Sequence, residues 1–271
     1  MRRGFGIPAT QDAERARTLA GECERLGYSS IWSNDTPNAD GIVTADYMAQ
    51  STEHVRLGVG VVPCDRRPAK EVAALVKRLE IPLERLVLGL GAGQSKRPLK
   101  TVKEAIVVLR GELGPTLTVG VAAMGPQMCE LAGQLADLVL FNWMLPERIV
   151  RASSFVRAGE VKKKIPGRVE RAAYVRVSLE PGGVARVEAE AGRYNRIPAY
   201  RRNFEAMGAP LASMGVAGLA EEIPARLAAY DSVLDEAIVR ALPALDTVES
   251  TLALARAAAP ISPDIGRSAP E

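Results

Sequence analysis

The 271-residue sequence contains a single histidine, His54. Catalytic schemes built on two histidines are therefore disfavoured, as are most zinc sites. The setting of that histidine, STEHVRL, resembles a helix end, which predicts a capping or surface role. Cysteine is also scarce. Cys23, Cys64 and Cys129 are odd in number and widely spaced, a pattern of neither a disulfide framework nor a metal site. No apolar run approaches the roughly 20 residues of a membrane helix. The opening stretch MRRGFGIPATQDAER turns polar within about ten residues, unlike a signal peptide. The expected location is the cytoplasm, away from membranes. No arginine- or lysine-rich arm stands out, and a net charge of +3 gives no argument for nucleic acid.

What is present is alternation. Short apolar runs that read as strands are RRGFGIPA, SSIWSND, VRLGVGVVPC, RLVLGLGAG, TLTVGVAAMG, ADLVLFNWM, RAAYVRVSL and EAIVRALPA. Between them lie helical repeats, such as Ala16, Leu19, Ala20, Cys23 and Leu26, which Gly27 closes as a C-terminal cap. Val72, Leu75, Val76 and Leu79 form a second repeat, and Val102, Ala105, Ile106 and Leu109 a third. Helical sequence is also expected around TADYMAQST, VARVEAEAGRY and AEEIPARLAAY, and from Val248 to Ala258. Strands that are apolar throughout suit a parallel sheet covered on both faces. Eight of them separated by helices predict an α/β fold, a (β/α)8 TIM barrel, ahead of a doubly wound open sheet. One barrel domain over residues 1–259 is expected, followed by a flexible tail over 260–271.

A barrel does its chemistry at the C-terminal ends of its strands. Asp35 and Asn34 end the second strand, where they can face a ligand or cap the next segment. Gly91 and Gly93 end the fourth, either for ligand access or for a tight turn. Gly125 precedes Pro126 at a helix start, leaving the amides of Gln127 and Met128 for a phosphate or simply starting the helix well. Asn142 and Trp143 end the sixth strand. The indole can wall a pocket for a planar ligand or belong to the core, whereas Trp32, within the second strand, reads as core. Arg66, Arg67, Lys96, Arg97 and Lys100 lie near the mouth, as attraction for an acidic ligand or as solvated charge. Cys64 has no nearby histidine to activate it.

Read together, GYSSIWSND, VRLGVGVVPCDRRPA, RLVLGLGAG, AAMGPQMCELAGQLADLVLFNWM and DEAIVRALPA resemble the bacterial luciferase-like family, and within it the enzymes that use the deazaflavin coenzyme F420. The resemblance implies a flavin-type ring in the barrel mouth, backed by a bulge with a non-prolyl cis peptide at Gly60–Val61. It implies Gly91-Ala92-Gly93 against the cofactor and the segment Met124, Gly125, Pro126, Gln127 and Met128 at its phosphate. Asp35 becomes a cofactor contact and candidate catalytic group, and Asn142 and Trp143 face the substrate. No metal is implied, and a homodimer is. Several deazaflavin-dependent members carry Asp-His where this chain has Asp35-Thr36, so the usual proton-transfer histidine is absent. The chain is also shorter than many relatives, with reduced insertions near the mouth. The expected activity is hydride transfer between F420 and a small organic substrate. An FMN-dependent monooxygenase and a cofactor-binding barrel without turnover are the alternatives.

Overall fold

The computed structural model describes residues 1–10, 12–163 and 167–260. Eight strands close into a parallel barrel. They are β1 (Arg2–Gly6), β2 (Ser30–Ser33), β3 (Arg56–Pro63), β4 (Leu86–Gly91), β5 (Thr118–Ala122), β6 (Leu138–Asn142), β7 (Glu170–Leu179) and β9 (Glu236–Ala241). Each pairs in parallel with the next, β6 joins β7, and β9 returns to β1. The fold is the expected (β/α)8 barrel, with the eighth predicted strand realised as β9.

Two elements were not expected. A three-residue strand, β8 (Val216–Gly218), adds to the end of β7. Val177 pairs with Val216 on one side and Ala241 on the other, so β8 lies on the edge of β7 opposite β9. A helix, α8 (Pro198–Met207), follows α7 (Gly183–Asn195). It buries only Asn203 and Phe204, so it lacks the apolar stripe that betrays a helix in sequence. The stretch AEEIPARLAAY is one turn of α9 (Ile223–Leu227) between two 3-10 turns rather than one helix.

The outer helices form where their repeats predict. In α3 (Ala69–Arg78), Val72, Ala73 and Val76 are buried against the barrel. Burial of each valine contributes roughly 1.5–3 kcal/mol. Asp12 caps α1 (Ala13–Arg25) by accepting from the Arg15 amide, and Gly27 leaves it with φ 83°. Proline opens α4 (Pro98–Leu113), α5 (Pro126–Leu135), α6 (Pro146–Glu160) and α8, where its missing N–H costs nothing. Helices α5 and α6 touch through Gly133 and Gly159; a Cβ on Gly133 would lie 2.1 Å from the Val156 carbonyl.

The main core lies between strands and helices. A second, smaller core fills the barrel itself, with Trp32, Val87, Leu138, Leu140, Ala172 and Ile238. Trp32 lies across the axis and donates from Nε1 to Ser30 Oγ at 2.7 Å. Below it Glu236 is fully buried and accepts from the Ser29 and Ser30 hydroxyls. This plug closes the barrel from beneath and leaves its upper end open. Among the described residues no helix is long and apolar enough to cross a membrane. The predicted tail lies outside the described residues from 261 onward.

Candidate active site

A cavity of about 700 Å³ opens above the plug, at the C-terminal ends of the strands. Its two flanks differ in chemistry. One is mostly main chain and small side chains: Gly60 and Val61 from β3, Gly91 to Gly93 after β4, and Ala122 to Gly125 after β5, with Met128 behind. The other carries polar groups on longer side chains: Asn142, Tyr174, Arg176 and Arg240 from the strands, Tyr194 from α7 and Tyr200 from α8.

The main-chain flank is shaped by a bulge. The Gly60–Val61 peptide is cis, and the β3–β4 register slips between Gly60 and Val62. Tyr174 crosses the barrel to donate to the Gly60 carbonyl at 3.0 Å, which ties β7 to the bulge. Burial pushes the Tyr174 phenol well above its ordinary pKa, so it stays a donor at neutral pH. The glycines after β4 serve these neighbours first. A Cβ on Gly91 would meet Val61 Cγ2 at 2.7 Å, and one on Gly93 would meet Asp65 Oδ1 at 1.7 Å. Gly93 also has φ 59°, the left-handed region that favours glycine. Asp65 in turn accepts from the Gln94 amide at 2.8 Å. Asn34 lines the cavity with its Oδ1 buried and unpartnered.

On the polar flank, hydrogen bonds from Arg176 and to Tyr200 fix the orientation of Asn142. Arg176 Nη1 can only donate, so the Asn142 atom it meets is Oδ1. Asn142 Nδ2 is thereby turned to Tyr200 and donates to its hydroxyl oxygen at 3.0 Å. The Tyr200 O–H must then point elsewhere, and the cavity is what its side chain lines. Burial, with a smaller contribution from Tyr194, raises the Tyr200 pKa, so its proton is held at neutral pH. The Arg176 guanidinium stacks 3.9 Å from the Trp143 ring centroid.

Most of the residues singled out from the sequence line this cavity, while Tyr174, Arg176, Tyr194, Tyr200 and Arg240 were not among them. Asp35, Gly60, Val61, Gly91, Ala92, Gly93, Met124, Gly125, Met128 and Asn142 all line the cavity. Pro126 and Gln127 do not; they are exposed on the first turn of α5. Trp143 does not wall the pocket. Its backbone takes φ 54°, and the indole is buried behind the cavity against Tyr194 and Phe204, ring centroids 5.2 and 5.8 Å away. Trp32, read as core, is core and cavity floor together.

Asp35 offers no free carboxylate. Its Oδ1 pairs with Arg66 at 2.6 Å and its Oδ2 with Arg67 at 2.7 Å, while Arg67 also holds Asp40 at 2.9 Å. Those two arginines are thus engaged with acids of their own chain. Thr36 closes a turn with Ala39 through its hydroxyl and is not among the cavity residues. His54 is exposed beyond α2 (Gly41–Ala49), not at a helix end, and its ring lies 3.8 Å from Glu53. Burial, then the charge of Asp65, pushes the Cys64 thiol up to about 11, so it is no nucleophile.

The sequence profile of the luciferase-like monooxygenase family matches residues 1–105. A 5,10-methylenetetrahydromethanopterin reductase of Methanolobus tindarius is 31% identical over 192 residues, covering 58% of this chain and 59% of its own. Over these stretches the chain is similar to the luciferase-like family. It spans a little over half the length of the curated reductases it resembles, 59% of one and 52% of another. Among solved structures, an F420-dependent secondary alcohol dehydrogenase bound to an F420–acetone adduct superposes with a TM-score of 0.73 at 16% identity, over 95% of this chain and 98% of that one. The coenzyme F420 dependent tetrahydromethanopterin reductase of Methanopyrus kandleri gives 0.71 at 14%, over 94% and 97%. At these identities the likeness is one of fold. In this barrel the bulge, the glycines at the end of β4, Gly125 and Met128 line the same cavity.

Proposed function

We propose that this protein is an oxidoreductase of the luciferase-like family that holds the deazaflavin coenzyme F420 and exchanges a hydride between it and a small organic substrate. The observation that carries the reading is the cavity with two unlike flanks. A flat heterocycle needs a wall with few side chains, and Gly60, Gly91, Ala92 and Ala122 supply one. It also needs an acceptor for a ring N–H, and the orphaned buried Oδ1 of Asn34 is such an acceptor. The residues present therefore fit the group. The amides that open α5 beyond Gly125 lie at the positive end of a helix, where a phosphate is favoured. When bound, the coenzyme supplies the hydride chemistry; the protein supplies position and electrostatics.

The chain's own part is to bind, orient and hold a proton. Tyr174 keeps the bulge in place. Tyr200 takes the duty of the missing histidine, because its hydroxyl hydrogen is the one the Asn142 bond leaves free to donate into the cavity. Tyr200→Phe is expected to lower turnover by on the order of 10²-fold, the scale of one general acid. F420 affinity, measured by quenching of coenzyme fluorescence, should be unaltered in that variant. Unchanged turnover would remove Tyr200 from the reaction.

The parent experiment compares cofactors on the purified chain. F420 is expected to bind in the micromolar range and FMN at least about tenfold more weakly, a gap of roughly 1.4 kcal/mol. FMN binding without F420 binding would overturn the reading in favour of the flavin monooxygenase. F420 binding with no turnover over a broad set of acceptors would favour a binding barrel. The cytoplasmic location and the homodimer expected from sequence belong to this same proposal; sedimentation tests the latter.

A further inference from the structure

Arg176 and Arg240 are Cα partners on the neighbouring strands β7 and β9, and both side chains line the cavity. Arg176 is 4% exposed. Neither guanidinium forms an ion pair among the described residues. Arg176 spends one nitrogen on Asn142 and leaves its buried Nε without a partner. The Arg240 guanidinium, half-buried, has no hydrogen-bond partner among the described residues. Gly6 is the Cα partner of Arg240 on the neighbouring strand β1, and a Cβ there would lie 3.5 Å from Arg240 Cδ, an ordinary contact.

Buried cations are normally neutralised by a carboxylate, because desolvation is otherwise uncompensated. Here none is at hand. The residues lining the cavity include four arginines, Arg148, Arg176, Arg202 and Arg240, and one acid, Asp35, which is already held by Arg66 and Arg67. Glu236 lies four residues before Arg240 on β9, beneath Trp32, and is bonded to Ser29 and Ser30. Burial lowers the Arg176 pKa to about 10 and lowers that of Arg240, yet Arg176 remains charged at neutral pH.

We infer that the Arg176–Arg240 pair is an oxyanion site, and that the substrate of this barrel carries a carboxylate or phosphate group that docks there. The inference rests on the oxidoreductase reading for the word substrate, but not for the site. A planar fork of donors on each side suits an oxyanion with two or three acceptor oxygens. With that group anchored on β7 and β9, the rest of the molecule reaches toward Tyr200 and the main-chain flank.

The test uses the whole chain at constant ionic strength, with succinate and inorganic phosphate as separate probes in titration calorimetry. One of the two is expected to bind, and which one binds identifies the group as carboxylate or phosphate. Arg240→Gln should weaken that probe at least tenfold, with Arg240→Lys restoring part of it. Because the variant removes an unpaired, half-buried charge, its Tm should be equal to or above that of the parent. F420 affinity in Arg240→Gln should stay within about threefold of the parent. Absence of binding by either probe to the parent chain would overturn the site, as would a fall in Tm showing that Arg240 serves the fold. Loss of F420 binding in Arg240→Gln would assign the pair to the coenzyme instead of the substrate and would also overturn the inference. If the parent chain took no F420 yet lost its anion with Arg240→Gln, the oxyanion site would stand while the coenzyme reading failed.

Discussion

Replacing Gly58 by alanine is expected to destabilise the protein by about 3 kcal/mol, near the top of the range for overpacking a core. A Cβ at Gly58 would lie 2.1 Å from Trp32 Cδ2 and 2.2 Å from Trp32 Cε3. The contact is with a rigid ring system, so no flexible end can swing aside. The ring is also pinned, by its Nε1 bond to Ser30 and by Tyr174, whose ring meets it edge-on at 6.1 Å. Displaced from the axis, Trp32 has only the cavity above to enter. Stability and ligand binding should therefore fall together. The pairing can be isolated by a double-mutant cycle in chemical denaturation. Trp32→Phe alone removes volume and costs energy; combined with Gly58→Ala it makes room for the new methyl. The double variant should be more stable than the sum of the single effects predicts, by about 1–2 kcal/mol. Strict additivity would show that Gly58 is needed for some reason other than the indole.

The same pair of residues shows why sequence carried the fold further than the site. Apolar runs such as RLVLGLG and ADLVLFN state their burial on both faces, and eight of them leave few architectures. Which side chains point up the axis is a matter of parity within each run. In RAAYVRVSL the polar residues Arg171 and Tyr174 do not share a face, whereas Tyr174 and Arg176 do, and both reach the cavity. A charged residue inside an otherwise apolar strand was the available signal, in Arg176 and again in Arg240 of EAIVRALPA. The capping helix α8 had no such signal, since the face it presents is Tyr200 and Asn203 rather than leucines. Trp143 could not be placed from its position at a strand end, because its direction depends on one unusual backbone angle. The partners of Asp35 were equally hidden: the carboxylate and its arginines are 31 and 32 residues apart in sequence and meet only when β2 and β3 pair.

That meeting decides what Asp35 does. Its side chain is 1% exposed, and both oxygens are held by guanidinium groups. The Gly41 amide adds a long contact at 3.4 Å, and Asp40, which shares Arg67, caps α2 through the amides of Ile42 and Val43. One carboxylate thus joins the end of β2, the start of α2 and the loop after β3. Asp35→Ala is expected to cost about 3 kcal/mol, the lower end for breaking a buried pair. The lower end applies because Arg67 keeps Asp40 and Arg66, 37% exposed, can turn to water. Asp35→Asn keeps the shape and loses the charge, so its cost should be smaller, about 1–2 kcal/mol. The two roles open to this residue then separate in the pH dependence of turnover. A proton-transferring Asp35 would have to give up two charge-assisted hydrogen bonds each time it took a proton. As a positioning residue it leaves the limbs of the pH–rate profile where they are when it becomes asparagine, while turnover drops no more than the disordered rim explains. Disappearance of one limb of that profile in Asp35→Asn, in protein that remains folded, would return the aspartate to the reaction and displace Tyr200 from it.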